Sequence, residues 1–145
     1  MNKTNEKMRA VLVGIAGSNN AFSLSVYNLK AFAYNDSETR KDWDIEVIQS
    51  PLIGLFKRDE LLSDLTEKIA LNEPNLVGFS CYMWNIEVVL KIAKKLRKRL
   101  PDLQILIGGP EIATEYVQQS YFDKHAVDYC ISGEGELTFF ELLQN

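Results

Sequence analysis

Residues able to move protons or attack an electrophile are sparse in this 145-residue chain. The one histidine, His125, has no cysteine or carboxylate at metal-ligand spacing and reads as a surface-loop residue. Cys81 and Cys130 fall at or near the ends of apolar runs, where buried thiols of a reducing cytoplasm are expected rather than a disulfide or metal pair. Glu111, Glu134 and Glu136 could act as acids or bases, yet each stands at an expected helix start, where a carboxylate complements the helix dipole. No Ser/His/Asp or Cys/His arrangement can be built around a single loop histidine. No catalytic residue and no metal ligand is therefore assigned.

The chain concentrates backbone freedom instead. Residues 104–115 read QILIGGPEIATE and residues 128–138 read DYCISGEGELT. Each is an apolar run that stops at glycines and passes at once to an acidic residue and a helical pattern. Glycine weakens the element that holds it, so two such loops suggest a ligand lying close against the main chain.

The elements that carry these loops alternate. Residues 10–16, AVLVGIA, form a β-branched run closed by Gly17-Ser18-Asn19-Asn20, a turn cluster able to cap a helix. Residues 21–34 place Phe22, Val26, Leu29 and Ala33 at helical spacing. Residues 44–50 read as a second strand ended by Pro51, and Leu61, Leu62, Leu65 and Ile69 as a second helical stripe. Residues 75–82, NLVGFSCY, form a third strand. From the expected N-cap Asn85, Ile86 to Leu100 make the strongest helix, which Pro101 stops. Strand four (103–107), a helix (112–121), strand five (127–131) and a helix from Glu134 complete the chain.

Five βα units with strands apolar on both faces call for a parallel sheet covered by helices on each side. The expected fold is a flavodoxin-like (Rossmann-like) α/β three-layer sandwich with a five-stranded sheet of order 2-1-3-4-5. Ligands of such sheets bind beyond the carboxyl ends of the strands, near the reversal of strand order. That rim holds Gly17, Ser18 and Asn19, then Ser80, Cys81, Tyr82 and Trp84, then Gly108, Gly109, Pro110 and Glu111, then Gly133, Glu134 and Gly135.

Composition excludes other classes. A net charge of −4 does not favour a nucleic-acid partner. No apolar run approaches the roughly 20 residues that span a bilayer, and the polar start MNKTNEKMR lacks the apolar stretch of a signal peptide. A cytoplasmic location is expected. A phosphoacceptor domain of this fold needs acidic residues where Ala16-Gly17-Ser18 and Ser80-Cys81 stand. GSNN is too poor in hydroxyls for a flavin phosphate loop, and neither a G-x-G-x-x-G nor a Walker loop occurs.

Residues 77–111, VGFSCYMWNIEVVLKIAKKLRKRLPDLQILIGGPE, followed by DYCISGEGELTFFELL, resemble the cobalamin-binding domain that precedes the radical S-adenosylmethionine core of many anaerobic enzymes. The likeness runs from about Asn75 to the C-terminus, and more loosely back to Val11. It implies that cobalamin lies across the carboxyl end of the sheet with its nucleotide tail descending toward strands 3 and 4. Ser80 and Tyr82 fall where the tail-pocket serine and its neighbour lie, Gly108 and Gly109 match the glycine pair flanking the tail, and Glu134 and Gly135 match the GEGE loop. The D-x-H-x-x-G motif of methionine-synthase-type domains is replaced by AGSNNAF, so any bound cobalamin is expected base-off without a histidine ligand.

The resemblance further implies a parent enzyme akin to the radical S-adenosylmethionine methyltransferases or the anaerobic magnesium-protoporphyrin monomethyl ester cyclases. Its iron–sulfur cluster and S-adenosylmethionine would belong to a core absent from this chain and partnering it. Residues 1–9 are expected to form a flexible tail and residues 10–145 the cobalamin-binding-like domain. A cofactor-free scaffold docking on that core, or a flavin- or nucleotide-binding domain, are the alternatives. Lys91, Lys94, Lys95, Arg97, Lys98 and Arg99 form a basic helix, expected as a solvated face opposite an apolar stripe. Tyr82, Met83 and Trp84 are expected to pack on a corrin, on another domain, or as a staple of the helix that follows.

Overall fold

The computed structural model describes residues 6–18, 21–52, 59–112 and 126–145, with the side chain of Leu61 outside that description. β1 (Met8–Ala16) leads through α1 (Leu24–Ala33) and the short α2 (Ser37–Asp42) to β2 (Trp43–Pro51). α3 (Asp59–Ala70), β3 (Leu76–Ser80), α4 (Ile86–Arg99) and β4 (Gln104–Gly108) follow. A 3-10 turn spans Pro110–Ile112, and β5 (Tyr129–Ile131) and α5 (Glu136–Gln144) end the chain. The sheet is parallel throughout, in the order β2-β1-β3-β4-β5. This is the expected flavodoxin-like three-layer arrangement.

Both faces of the sheet are covered. Val11, Val13, Val77, Phe79, Ile105 and Ile107 pack on one face against Leu65 and Ile69 of α3 and Val89, Ile92 and Leu96 of α4. Ala10, Leu12, Leu76, Leu106 and Ile131 pack on the other against Val26 and Ala33 of α1 and Phe139 and Leu143 of α5. Successive side chains of a strand point to opposite faces, so the inner strands β1, β3 and β4 supply both cores and read as largely apolar, whereas the edge strand β2 carries exposed Asp44 and Glu46. Ile105 and Leu76, 0% and 1% exposed, each contribute about 2 kcal/mol by burial.

Several boundaries move, for local reasons. α1 starts at Leu24 rather than residue 21, so Phe22 is 63% exposed and meets Tyr27 edge-to-face instead of joining the core. Ser23, not the Gly17–Asn20 turn, stands at its N-cap position. α2 was not expected. Asp36 starts it by accepting from the Thr39 backbone N–H at 2.8 Å and hydroxyl at 3.0 Å, and these bonds hold its carboxyl below the usual range. Strand five is only Tyr129–Ile131, and α5 begins at Glu136 because Gly133, at φ +76°, keeps the preceding residues in a loop. Beyond Ile112, the helix expected over 112–121 lies outside the described residues, as does His125.

Candidate functional site: a cleft at the carboxyl edge of the sheet

The parallel register aligns the strand ends in rows. Gln49, Gly14, Ser80, Gly108 and Ile131 stand side by side across β2, β1, β3, β4 and β5. One layer deeper lie Val47, Leu12, Gly78, Leu106 and Tyr129. Both rows belong to the α1/α5 face, since Leu12, Leu106 and Ile131 contribute to that core. Gly78 and Gly108 leave this face short of side chains on β3 and β4, next to the reversal of order between β1 and β3. The space becomes a cleft of about 660 Å³, within the range that holds a drug-sized or cofactor fragment.

Its walls are apolar: Leu12 and Leu106 from the sheet, Val26 and Leu29 from α1, Ile131 from β5. Tyr82, Pro110 and the Ser132–Glu136 segment surround them, and Ser25 and Ser80 add hydroxyls. The Ser80 hydroxyl lies 2.8 Å from that of Ser25, which in turn lies 3.0 Å from Ser23. Gln49 clamps the Ser23 main chain from both sides, accepting from its N–H at 2.9 Å and donating to its carbonyl at 2.7 Å. Gly14 makes room for this clamp, since a Cβ there would stand 2.5 Å from Ser23 Cβ.

Two devices hold the loops. Asn85 stands at the expected N-cap position of α4 and is fully buried, but its side chain makes no capping hydrogen bond. Its amide donates to the carbonyls of Ile15 at 3.1 Å and Ser80 at 3.0 Å, and its Oδ1 accepts from the Tyr82 N–H at 2.8 Å. The ends of β1 and β3 are thereby tied through one side chain. Above them the Tyr82 and Trp84 rings stack 4.6 Å apart at 7°, and Trp84 faces Gly17 of the first loop, its Nε1 3.5 Å from where a Cβ would sit.

Of the residues singled out in the sequence, the cleft brings together Ser80, Tyr82, Gly108, Gly109, Pro110, Gly133, Glu134 and Gly135. Gly17 and Trp84 meet beside it, and Ser18 is exposed. Asn19 lies outside the described residues. The Cys81 side chain belongs to the opposite core, where burial pushes its thiol pKa well up, and burial raises that of Cys130 to about 11. Glu111 is the middle residue of the 3-10 turn and does not line the cleft. Among the described residues no group of three potential ligands could hold a metal ion, and no helix is long and apolar enough to cross a membrane.

Sequence reasoning missed Leu12, Ser25, Leu29, Gly78 and Leu106. Gly78 alone carried a signal, since an isolated glycine inside an apolar strand marks a close approach. Ser25 carried none.

A family model described as the B12 binding domain matches residues 39–143, well over half of the chain. The chain belongs to the B12-binding domain family. Among curated relatives, a cobalamin-dependent radical SAM methyltransferase, TokK, of Streptomyces tokunonensis is 30% identical over 116 residues, covering 79% of this chain and 15% of that protein. The 2-(S-pantetheinyl)-carbapenam-3-carboxylate methyltransferase of Streptantibioticus cattleyicolor is 28% identical with the same coverage. An uncharacterized methyltransferase of Pyrococcus horikoshii is 31% identical over 114 residues, 77% of this chain and 23% of its own length. The chain thus spans between 15% and 23% of the length of these relatives. The B12-binding match covers Ser80, Gly108 and the Gly133–Gly135 loop, but begins after α1. Leu12 and Ser25 complete the cleft of this B12-binding domain from outside the matched span.

Proposed function

We propose that this chain binds cobalamin, taking the nucleotide tail into the cleft beside α1. The observation that carries the reading is the pairing of a part-buried hydroxyl, Ser80, with an apolar slot that the register opens at Gly78 and Gly108. An aromatic lower base suits such a slot, for its ring is desolvated by Leu12, Leu29 and Leu106 while one ring nitrogen meets a hydroxyl donor. Gly108 leaves the entrance open, and the Gly133–Gly135 turn offers main-chain groups to the nucleotide loop. A tail held in the cleft is drawn away from cobalt, so the bound form would be base-off, and the first loop carries no histidine at residues 17–22 to serve as a ligand in its place. Bound cobalamin supplies a cobalt centre able to carry a methyl group. This chain's residues do the holding and orienting.

The partner is a radical S-adenosylmethionine core in the same parent chain, with its own iron–sulfur cluster, and the parent reaction is a methyl transfer. The names and lengths of the relatives support this, and favour a methyltransferase over a cyclase. On this reading the cobalamin-binding unit is the expected 10–145 extended back to Met8, where β1 starts, and the domain works in the cytoplasm.

The test is titration of the 145-residue chain with hydroxocobalamin and methylcobalamin. It follows the corrin spectrum and Trp84 fluorescence in a Trp43→Phe background. Saturable binding with a base-off spectrum is expected. If no binding occurs up to millimolar ligand, the cleft is not a cobalamin site in this chain, and a cofactor-free scaffold becomes the better reading.

A further inference from the structure

We infer that Ser25, on the first turn of α1, is a positioning residue that makes Ser80 a hydrogen-bond donor to the ligand. The relay would make the cleft select corrinoid tails that end in a ring nitrogen. The inference rests on the cobalamin reading and adds to it a residue that no loop motif contains.

The geometry is a chain of three hydroxyls, Ser23–Ser25–Ser80, with oxygen separations of 3.0 and 2.8 Å. Each hydroxyl has one proton to give. When a ligand acceptor sits above Ser80, the Ser80 proton turns toward it. Ser80 then accepts from Ser25, and Ser25 accepts from Ser23. Every bond in the row then runs the same way, and bonds aligned head to tail strengthen one another in a site of low dielectric.

Ser23 and Ser80 are both 8% exposed, and Gln49 fixes the Ser23 main chain. The row is therefore held in place before any ligand arrives. Removing Ser25 breaks it in the middle. Ser80 keeps its position on β3 but loses the partner that orients its proton, so part of its proton density is no longer committed to the ligand. A tail whose aromatic ring lacks a nitrogen acceptor gains nothing from the outward direction and leaves the row free to run in reverse. The selectivity lies in the direction of the protons, and the apolar walls are indifferent to it.

The experiment compares three ligands on the full chain. Cobalamin carries a benzimidazole nitrogen, a phenol-type cobamide has an aromatic lower base without one, and cobinamide has no nucleotide tail. Binding is measured for wild type, Ser80→Ala, Ser25→Ala and Ser25→Thr, with circular dichroism as the check on folding. Corrected for the cost of releasing benzimidazole from cobalt in free cobalamin, which the phenol-type cobamide does not bear, wild type should prefer cobalamin over the phenol-type cobamide by about tenfold, the value of one well-oriented hydrogen bond. Ser80→Ala should erase that preference. Ser25→Ala should reduce it to about two- or threefold, with affinity for cobinamide and for the phenol-type cobamide unchanged. Ser25→Thr, which keeps a hydroxyl, should restore it.

A Ser25→Ala protein that keeps the wild-type preference would overturn the relay while leaving cobalamin binding intact. Equal losses for all three ligands would also overturn it, since they would reveal a merely structural serine. If wild type binds none of the three, the cobalamin reading falls and the relay with it.

Discussion

Gly109 lies directly against the main chain of Cys81. A Cβ on Gly109 would stand 2.5 Å from the Cys81 carbonyl oxygen and 2.9 Å from its nitrogen, and its φ of +109° disfavours any side chain. Its neighbour Gly108 is unlike it. A Cβ there would meet only Ile131, at 3.5 Å and beyond, and its φ is not positive.

The paired glycines therefore separate fold from site. Gly109→Ala should cost on the order of 3 kcal/mol, from backbone strain and a contact with main chain that cannot yield. Chemical denaturation should detect this with no ligand present. Gly108→Val should retain near wild-type stability, while its methyl groups fill the entrance and weaken cobalamin binding more than tenfold. A Gly108→Val chain that binds as wild type would place the ligand elsewhere.

Asn85 is the second point of leverage. Asn85→Ala leaves the Tyr82 N–H without its side-chain acceptor and two carbonyls without a side-chain donor, and should destabilise by about 2–3 kcal/mol. Asn85→Asp should be worse at neutral pH, because a buried carboxylate would face the carbonyls of Ile15 and Ser80. Burial raises such an acid's folded pKa above the unfolded value of about 3.9. The penalty is thus least below that pH and grows as pH rises toward 7. Stability of Asn85→Asp relative to wild type, measured at pH 4 and pH 7, checks the sign.

Within the basic helix, Arg97 departs from the solvated face expected of most of the run. It donates to the carbonyls of Pro101, Leu103 and Ala126 and pairs with Asp128, whose carboxylate also accepts from the Ile105 N–H at 2.8 Å. One side chain thus joins the end of α4 to the starts of β4 and β5. Arg97→Ala should cost about 2–3 kcal/mol, whereas alanine at the exposed Lys94, Lys95 or Lys98 should change stability by less than about 0.5 kcal/mol. Urea melts of the four variants make the comparison.

The two thiols set an alkaline limit. Both have folded pKa values raised by burial, Cys130 to about 11 and Cys81 beyond it. A raised folded pKa leaves stability constant below the unfolded value, about 8.5, and erodes it above, because the unfolded chain ionises first. Wild type should lose stability between pH 8.5 and 11 more steeply than a Cys81→Ala/Cys130→Ala double variant. Neither thiol should react readily with an alkylating reagent at pH 8 until the chain is unfolded.

Much of this architecture is legible without coordinates. Apolar β-branched runs at 10–16, 75–82 and 103–107 locate three adjacent strands, and Gly108-Gly109 and Gly133–Gly135 mark the rim, because period and turn chemistry are local properties. Once the units alternate, right-handed crossovers leave few sheet orders, and 2-1-3-4-5 is among them. Glycine identity alone, however, did not distinguish Gly108, which keeps an entrance open, from Gly109, which yields to a neighbouring main chain.

The sequence by itself determined the strands, narrowed their order to a few and marked the edge where a ligand would meet them. Only the tertiary structure decided what that edge contains. Ser25 reaches Ser80 across 55 positions and Asn85 reaches Ile15 across 70. Such contacts depend on where α1 and α4 settle on the sheet, which is set by the packing of both cores and leaves no periodic trace in the chain. The same packing turned Arg97 inward and set Arg99 against Glu67 while the lysines of the run stay exposed, and placed Gly78 in the lining of a cleft that one glycine in an apolar strand could only hint at.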